Sequence, residues 1–357
     1  MENLGGMQRV AVDLFDSLAR HPGVELRTLV LRSGWNERGY RTPLFLAKAL
    51  REIRLLARAE EIDAILFSSM LTATLVVPLR SLLRRHGVVT AAIVNGLDAT
   101  TPTWPYPLLV KRAFESLDLV MPISRATGEA CRARGLATEK TTVVPLGIRL
   151  DRFSGAASVH EARAKLIEGQ SNSPRLILCS VGRLVPRKGV AWFVANVMPL
   201  LPNDVLYLVA GDGPDRTRIA EEIERLALAE RVKLLGAVSD RDLEMLYQGA
   251  DLFMMPNVPV PNDMEGFGLV MLEAGLCGLP TIAANIEGIA DVVSEGENGH
   301  LVPTKSADGF RDAIMRYYSD PEALSRAKSL TREITASRFG WDGVVDRYVS
   351  ILQNLSS

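Results

Sequence analysis

The sequence predicts an α/β protein built from two parallel-sheet domains, and three observations carry that prediction. Short β-branched runs alternate with amphipathic helical stretches along the whole chain. This is the pattern of parallel strands whose crossover helices cover both faces of a sheet. The alternation breaks once, across the polar, mixed segment IRLDRFSGAASVHEARAKLIEGQSNSP at 148–174, and then restarts. The 357 residues exceed one typical domain and suit two.

In order, the candidate strands of the first part are LRTLVL (26–31), DAILFSS (63–69), VVTAAIVN (88–95), LDLVMPIS (117–124) and TTVVPLG (141–147). Helical patterns lie between them, including FLAKALREIRLLARAEEI at 45–62. The break at 148–174 holds one short helix. The strands then resume as RLILCSVG (175–182), VLYLVAG (205–211), VKLLG (232–236), DLFMMP (251–256), LPTIAA (279–284) and HLVP (300–303). RFGWDGVVDRYVSILQNL reads as a closing helix. The expected domains are 1–150 and 151–339, with the helix at about 340–357 packing back on the first. A hinged α/β pair of this kind places ligands in the cleft, at the carboxyl ends of strands.

Composition narrows the class further. Hydrophobic residues make up 47% and charged residues 23%, as in a globular protein. Cys131, Cys179 and Cys277 are far apart with no CxxC, which argues against a disulfide framework or zinc site and for a reducing compartment. No apolar run reaches the ~20 residues of a membrane span, and no signal peptide opens the chain. The net charge of −1 conceals an asymmetry: 20 Lys+Arg against 14 Asp+Glu through residue 150, then 21 against 28. A basic half and an acidic half suit two domains with different partners, although ordinary surface variation accounts for them as well.

Four stretches carry chemistry. In SVGRLVPRKGV (180–190) a strand ends at Gly182, and Arg183 and Lys188 follow on a turn that opens a helix. Two cations beside a helix N-terminus suit a diphosphate better than one carboxylate. In LVAGDGPDRTRI (208–219) a strand runs through Gly211-Asp212-Gly213 into a helix; its glycine spacing is not the dinucleotide fingerprint, and a plain connection explains it more readily than ligand contact. NDMEGFGLVMLEAG (262–275) puts Glu265 and Glu273 around Gly266-Phe267-Gly268 and an apolar run. The amides of Phe267, Gly268, Leu269 and Val270 then sit at a helix start, and the carboxylates can accept from paired hydroxyls. Backbone donors to a buried glutamate would explain one carboxylate but not both. Finally, Gly5-Gly6 precedes the amphipathic helix of LGGMQRVAVDLFDSLAR (4–20), another anion-ready helix start.

In combination, Gly5-Gly6, Arg183 and Lys188, Gly211-Asp212-Gly213 and Glu265-x7-Glu273 resemble the retaining glycosyltransferases of the GT-B fold, specifically the large family four, over nearly the whole chain. The resemblance implies two Rossmann-like domains facing each other across a cleft, and transfer of a sugar from a nucleotide diphosphate sugar with retention at the anomeric carbon. It implies that Glu273 binds the ribose hydroxyls and Glu265 lies near the donor sugar. It also implies that Arg183 and Lys188 neutralise the diphosphate leaving group, and that no metal or other cofactor is needed. The one DxD, Asp240-Arg241-Asp242, reads as part of a helix cap from Ser239.

Two departures stand out. Where the family usually carries a histidine, IVNGLDATTP has Asn95, with Asp98 beyond it, on the acceptor side. Asparagine can hydrogen-bond a sugar hydroxyl but carries no proton near neutral pH. His21, His86, His160 and His300 match no motif. Only MENL precedes Gly5, so the family's first strand is absent; either the natural start lies upstream or the strand is lost, and a chain without it should be less stable.

The acceptor is expected to be a glycan, a lipid-linked glycan or a small molecule. FLAKALREIRLLARA (45–59) repeats Lys48, Arg51, Arg54 and Arg58 beside leucines. A solvated helix face explains this, and so does contact with anionic lipid at an inner membrane surface by a cytoplasmic enzyme. Three other functions compete: a GT-B sugar-nucleotide epimerase, disfavoured by the Glu-x7-Glu spacing; a non-catalytic nucleotide-sugar binder or partner subunit, motivated by Asn95 and the missing first strand; and a nicotinamide dehydrogenase, which lacks its fingerprint. Nucleic acid is not expected as a partner.

Overall fold

The computed structural model describes residues 6–31, 38–153, 158–170 and 173–356. The chain divides into two compact units, Met1–Gly147 with Trp341–Ser357, and Ile148–Gly340.

The first unit holds the parallel sheet β1 (Ala64–Phe67), β2 (Val89–Val94) and β3 (Leu119–Pro122), in the order β1-β2-β3. Every residue of β2 and β3 is buried, as the apolar runs require when helices cover both faces. The Val76–Arg85 and Tyr106–Ser116 helices place Leu79, Leu83, Val110 and Phe114 in this core. The Arg38–Arg58 helix adds Ala49, Ile53 and Ala57. The C-terminal helix Trp341–Ser356 packs on Gly6–Arg20 and on β2, burying Val344, Val345 and Tyr348. Trp341 lies flat on the chain at Gly147, where an added Cβ would fall 2.4 Å from its Cδ2.

Two expected strands of this unit are corrected. LRTLVL (26–31) joins no ladder among the described residues, and Leu29 and Val30 are exposed. β propensity describes fit to a pleated, half-buried surface, and a strand needs a hydrogen-bonding neighbour, which this run lacks among the described residues. TTVVPLG (141–147) forms no strand: it makes a single bridge, Thr141 to Val120, and the Thr142 and Val144 N–H groups donate to Val120 O and Pro122 O beside β3.

The second unit is a six-stranded parallel sheet in the order β6-β5-β4-β7-β8-β9: β4 Leu176–Val181, β5 Val205–Ala210, β6 Val232–Gly236, β7 Leu252–Met255, β8 Thr281–Ala284 and β9 Gly299–Val302. Its core gathers Leu178, Phe193, Tyr207, Leu252, Ile282 and Phe310 between sheet and helices. The chain leaves β4 for β5 on one side and comes back to β7 on the other. The crevice at the carboxyl ends of β4 and β7 is therefore the switch point of the sheet, where open α/β sheets bind ligands. The short helix expected within 148–174 is Val159–Leu166, capped by a reciprocal Ser158–Glu161 box.

The Trp341 contact has a measurable consequence. Gly147→Ala forces the indole or the chain aside and should cost about 1–3 kcal/mol, seen as a lower urea midpoint. An unchanged midpoint would show that this seam yields freely.

Candidate functional site

The crevice of the second unit is lined by Ser180, Val181, Gly182, Arg183 and Leu184 after β4, by Met254, Met255 and Pro256 after β7, and by Lys188. The loop after β5 supports it. Gly182 N–H donates to Ala210 O at 3.0 Å, and Leu184 N–H donates to Asp212 O at 2.9 Å. Gly211 has φ +131°, and a Cβ there would lie 1.9 Å from Gly182 O, so only glycine allows the two loops to touch. The Gly211-Asp212-Gly213 turn thus shapes the loop that carries Arg183.

Arg183 is exposed, while Lys188 lies over Gly182 and reaches inward. Lys188 Nζ stands 2.6 Å from Glu265 Oε2, with side-chain exposures of 12% and 11%. Arg187 Nη2 is 3.6 Å from the same oxygen, and Asn257 Nδ2 donates to it at 3.4 Å. Burial opposes ionisation of Glu265, but Lys188 and then Arg187 more than offset it, holding its carboxyl below the ordinary glutamate value. The Glu265 backbone N–H donates to the carboxylate of Glu287. Burial pushes the Glu287 carboxyl up, the Glu265 N–H works against this, and the Glu265 charge adds to the rise.

The helix that follows is Leu269–Leu276, with Gly268 as its N-cap in the left-handed region at φ +82°. The Met271 N–H already donates to Gly268 O at 2.9 Å and no side chain caps the helix, which leaves the Leu269 and Val270 amides at its start for an anion or hydroxyl. Phe267 turns inward, 2% exposed, and meets the Phe339 ring edge-on at 6.0 Å. Glu273 lies one turn into the helix. Its Oε1 is 2.9 Å from Arg152 Nη2, and its Oε2 accepts from the Tyr247 hydroxyl at 3.2 Å. Burial, then the Glu273 charge, keeps that phenol protonated far above neutral pH.

The two glutamates of NDMEGFGLVMLEAG are thus each met by a cation, Lys188 for one and Arg152 for the other. Lys188, Glu265, Gly182 and Arg183 come together, and Phe267, Gly268, Leu269, Val270 and Glu273 follow on the next loop and helix. Gly6 begins the Gly6–Arg20 helix, and Gly5 lies outside the described residues. In the first unit Asn95 follows β2, and its backbone and side-chain N–H groups donate to Asp98 Oδ2 at 3.2 and 3.3 Å. Tyr106 donates to Asp98 Oδ1 at 3.3 Å, and burial raises the Asp98 carboxyl. Ser239 caps Asp240–Gly249, accepting from Asp242 N–H at 3.1 Å; among the described residues no group of three or more His, Cys, Asp or Glu could hold a metal ion. Sequence reasoning missed Arg152, Tyr247, Arg187 and Glu287. Only Arg187, beside Lys188, carried a local signal.

The glycosyl transferases group 1 family model matches residues 163–333, and the glycosyltransferase family 4 model matches residues 4–152. Among curated proteins, the D-inositol 3-phosphate glycosyltransferase of Segniliparus rotundus is 33% identical over 58% of this chain and 45% of its own length. The GDP-mannose-dependent alpha-(1-6)-phosphatidylinositol monomannoside mannosyltransferase of Mycolicibacterium smegmatis is 27% identical over 65% and 61%. The chain therefore spans less than two thirds of either relative. Among solved structures, Anabaena Alr3699/HepE in complex with UDP superposes with a TM-score of 0.74 at 20% identity, covering 98% of this chain and 96% of that one.

Lys188→Ala leaves the Glu265 carboxylate in a buried site without its nearest cation, and should cost about 3–5 kcal/mol of stability at pH 7. Because the folded pKa of Glu265 lies below the ordinary 4.5, the pair's contribution is full above that value and is lost as the pH falls through the folded pKa. The gap between wild type and variant in denaturant titrations should therefore narrow in acid. A gap constant between pH 7 and pH 3 would contradict the ion-pair account.

Proposed function

The chain belongs to family four of the glycosyltransferases, group 1, with the GT-B fold, and we propose that it transfers a sugar from a nucleoside diphosphate sugar to an acceptor hydroxyl with retention at the anomeric carbon. One observation carries this reading: a crevice at the switch point of a parallel sheet carries Arg183 and Lys188 on one loop and free helix amides on the next. As the glycosidic bond breaks, charge develops on the departing diphosphate. Fixed cations and amide dipoles placed there beforehand stabilise that charge without reorganising.

In this reading Glu273 accepts from the ribose hydroxyls, oriented by Arg152 and Tyr247. Glu265 accepts from a donor-sugar hydroxyl, and its contact with Lys188 keeps it ionised as an acceptor. The exposed Arg183 closes on the diphosphate when it binds. Asn95 and Asp98 belong to the acceptor side. Asn95 can orient a hydroxyl, but the leaving-group cations carry the rate. The group's positive charge comes from the chain's own side chains, and a metal ion has no assigned part.

The acceptor is a glycan, lipid-linked glycan or small polyol. The Arg38–Arg58 helix favours a lipid-linked one. It buries Ala49, Ile53 and Ala57 but leaves Lys48, Arg51, Arg54 and Arg58 in solvent beside Leu44, 68% exposed, and Leu55, 49% exposed. No described helix is long and apolar enough to cross a membrane, so such contact would be peripheral, at a cytoplasmic membrane face.

Arg183→Ala should lower turnover by about 10²–10³-fold, the loss of one preorganised charge donor, with unchanged thermal stability. Near-normal turnover would remove this account of catalysis. Sedimentation with vesicles should show binding to anionic but not neutral lipid, weakening by about 1 kcal/mol for each of the four cations replaced by Gln. Equal partitioning to both vesicle types would leave the face merely solvated.

A further inference from the structure

The turn after β8 carries a third carboxylate to the site, and its backbone is unusual. Glu287 has φ +52°, the left-handed region that a glutamate rarely adopts. Such residues persist where surrounding structure holds them, and they cluster at functional sites. The contacts show what the conformation achieves. Glu287 accepts the Glu265 N–H, and the next residue's N–H, Gly288, donates to Glu265 O at 3.1 Å. A Cβ at Gly288 would lie 1.9 Å from Gly266 O, so the two turns meet backbone to backbone. The main-chain donor and acceptor of Glu265 are thus both held by two consecutive residues of one turn.

We infer that Glu287 is a positioning residue for Glu265: its carboxylate, carried on a left-handed backbone, clasps the Glu265 main chain and fixes the direction in which the Glu265 side chain leaves it. The inference rests on the proposed transferase function, in which Glu265 must meet a donor-sugar hydroxyl. Lys188 fixes the far end of the Glu265 side chain, and Glu287 with Gly288 fixes its root. A side chain held at both ends presents its remaining lone pairs in one direction, which preorganisation at a reacting centre demands. Without Glu287 the N–H would have to find water in a closely packed turn, and the Glu265 main chain could rotate away.

Glycine and glutamine variants separate positioning from bulk stability. Glycine is at ease at φ +52°, so Glu287→Gly should keep or raise the melting temperature while removing the clasp. Glu287→Gln keeps an acceptor at the same place. In the full-length protein, hydrogen exchange of residues 263–268 should accelerate by about tenfold or more in Glu287→Gly, the worth of one charge-assisted hydrogen bond, and recover largely in Glu287→Gln. With UDP-glucose, GDP-mannose and ADP-glucose as donors, the kcat for nucleoside diphosphate release should fall by about 10- to 100-fold in Glu287→Gly. Affinity for the matching nucleoside diphosphate should stay within about twofold, because Glu273 binds independently. Wild-type exchange and turnover in Glu287→Gly would overturn the inference. A lowered melting temperature with lost diphosphate binding would overturn it too, by making Glu287 a structural residue only. If the wild type releases diphosphate from no donor, the transferase reading fails separately, and the exchange rates still decide the clasp: unchanged rates overturn it.

Discussion

The buried contact between Lys188 and Glu265 is the interaction on which the site in the second unit depends. It ties the loop after β4 to the loop after β7, across the switch point of the sheet. A buried pair of this kind is a weak source of net stability, since desolvation of both ions offsets their attraction, but losing either partner is expensive. Its effect is therefore to fix register. The arrangement of the two loops that satisfies both charges sets the exposed Arg183, the Leu269 and Val270 amides and the two glutamates at the carboxyl ends of the central strands.

Around this pair the polar contacts spread outward. Arg187 spans Asp263 and Glu265, Asn257 donates to Glu265, and Glu287 takes the Glu265 N–H. One turn along the helix, Arg152 and Tyr247 hold Glu273, while Phe153 packs edge-on to Tyr247 at 5.6 Å and lies beneath the Arg152 guanidinium. Arg152 comes from the polar segment that interrupts the strand–helix alternation. That segment supplies a ligand-side ion pair as well as a connection. The charges of the site are nearly balanced, and Arg183 is left in solvent, which would suit the proposed binding and release of a diphosphate.

The legibility of the sequence follows burial. The strands of the second unit are apolar on both faces, so RLILCSVG and VLYLVAG announce β4 and β5 within a residue or so of their ends. LRTLVL is also apolar but has no neighbour to pair with among the described residues, and composition cannot report pairing. The glycines that bring loops into contact, and the cations that follow β4, are local signals and were readable. Arg152, Tyr247 and Glu287 were not, because they reach the site from 121, 26 and 22 residues away in sequence from Glu273, Tyr247's partner, or from Glu265. Glu287 even contradicts local preference by taking a conformation suited to glycine, and such violations are expected where function outweighs local propensity.

The central claim is that this crevice binds a nucleoside diphosphate and uses its cations to release it from a sugar. The most direct measurement is a thermal-shift panel with UDP, GDP, ADP and NAD, followed by assay of diphosphate release from the sugar donor that matches. The account predicts that one nucleoside diphosphate raises the melting temperature and that its sugar conjugate is slowly turned over, while NAD has no effect. Stabilisation by NAD alone, or tight diphosphate binding with no release in the presence of lipid and glycan acceptors, would contradict it.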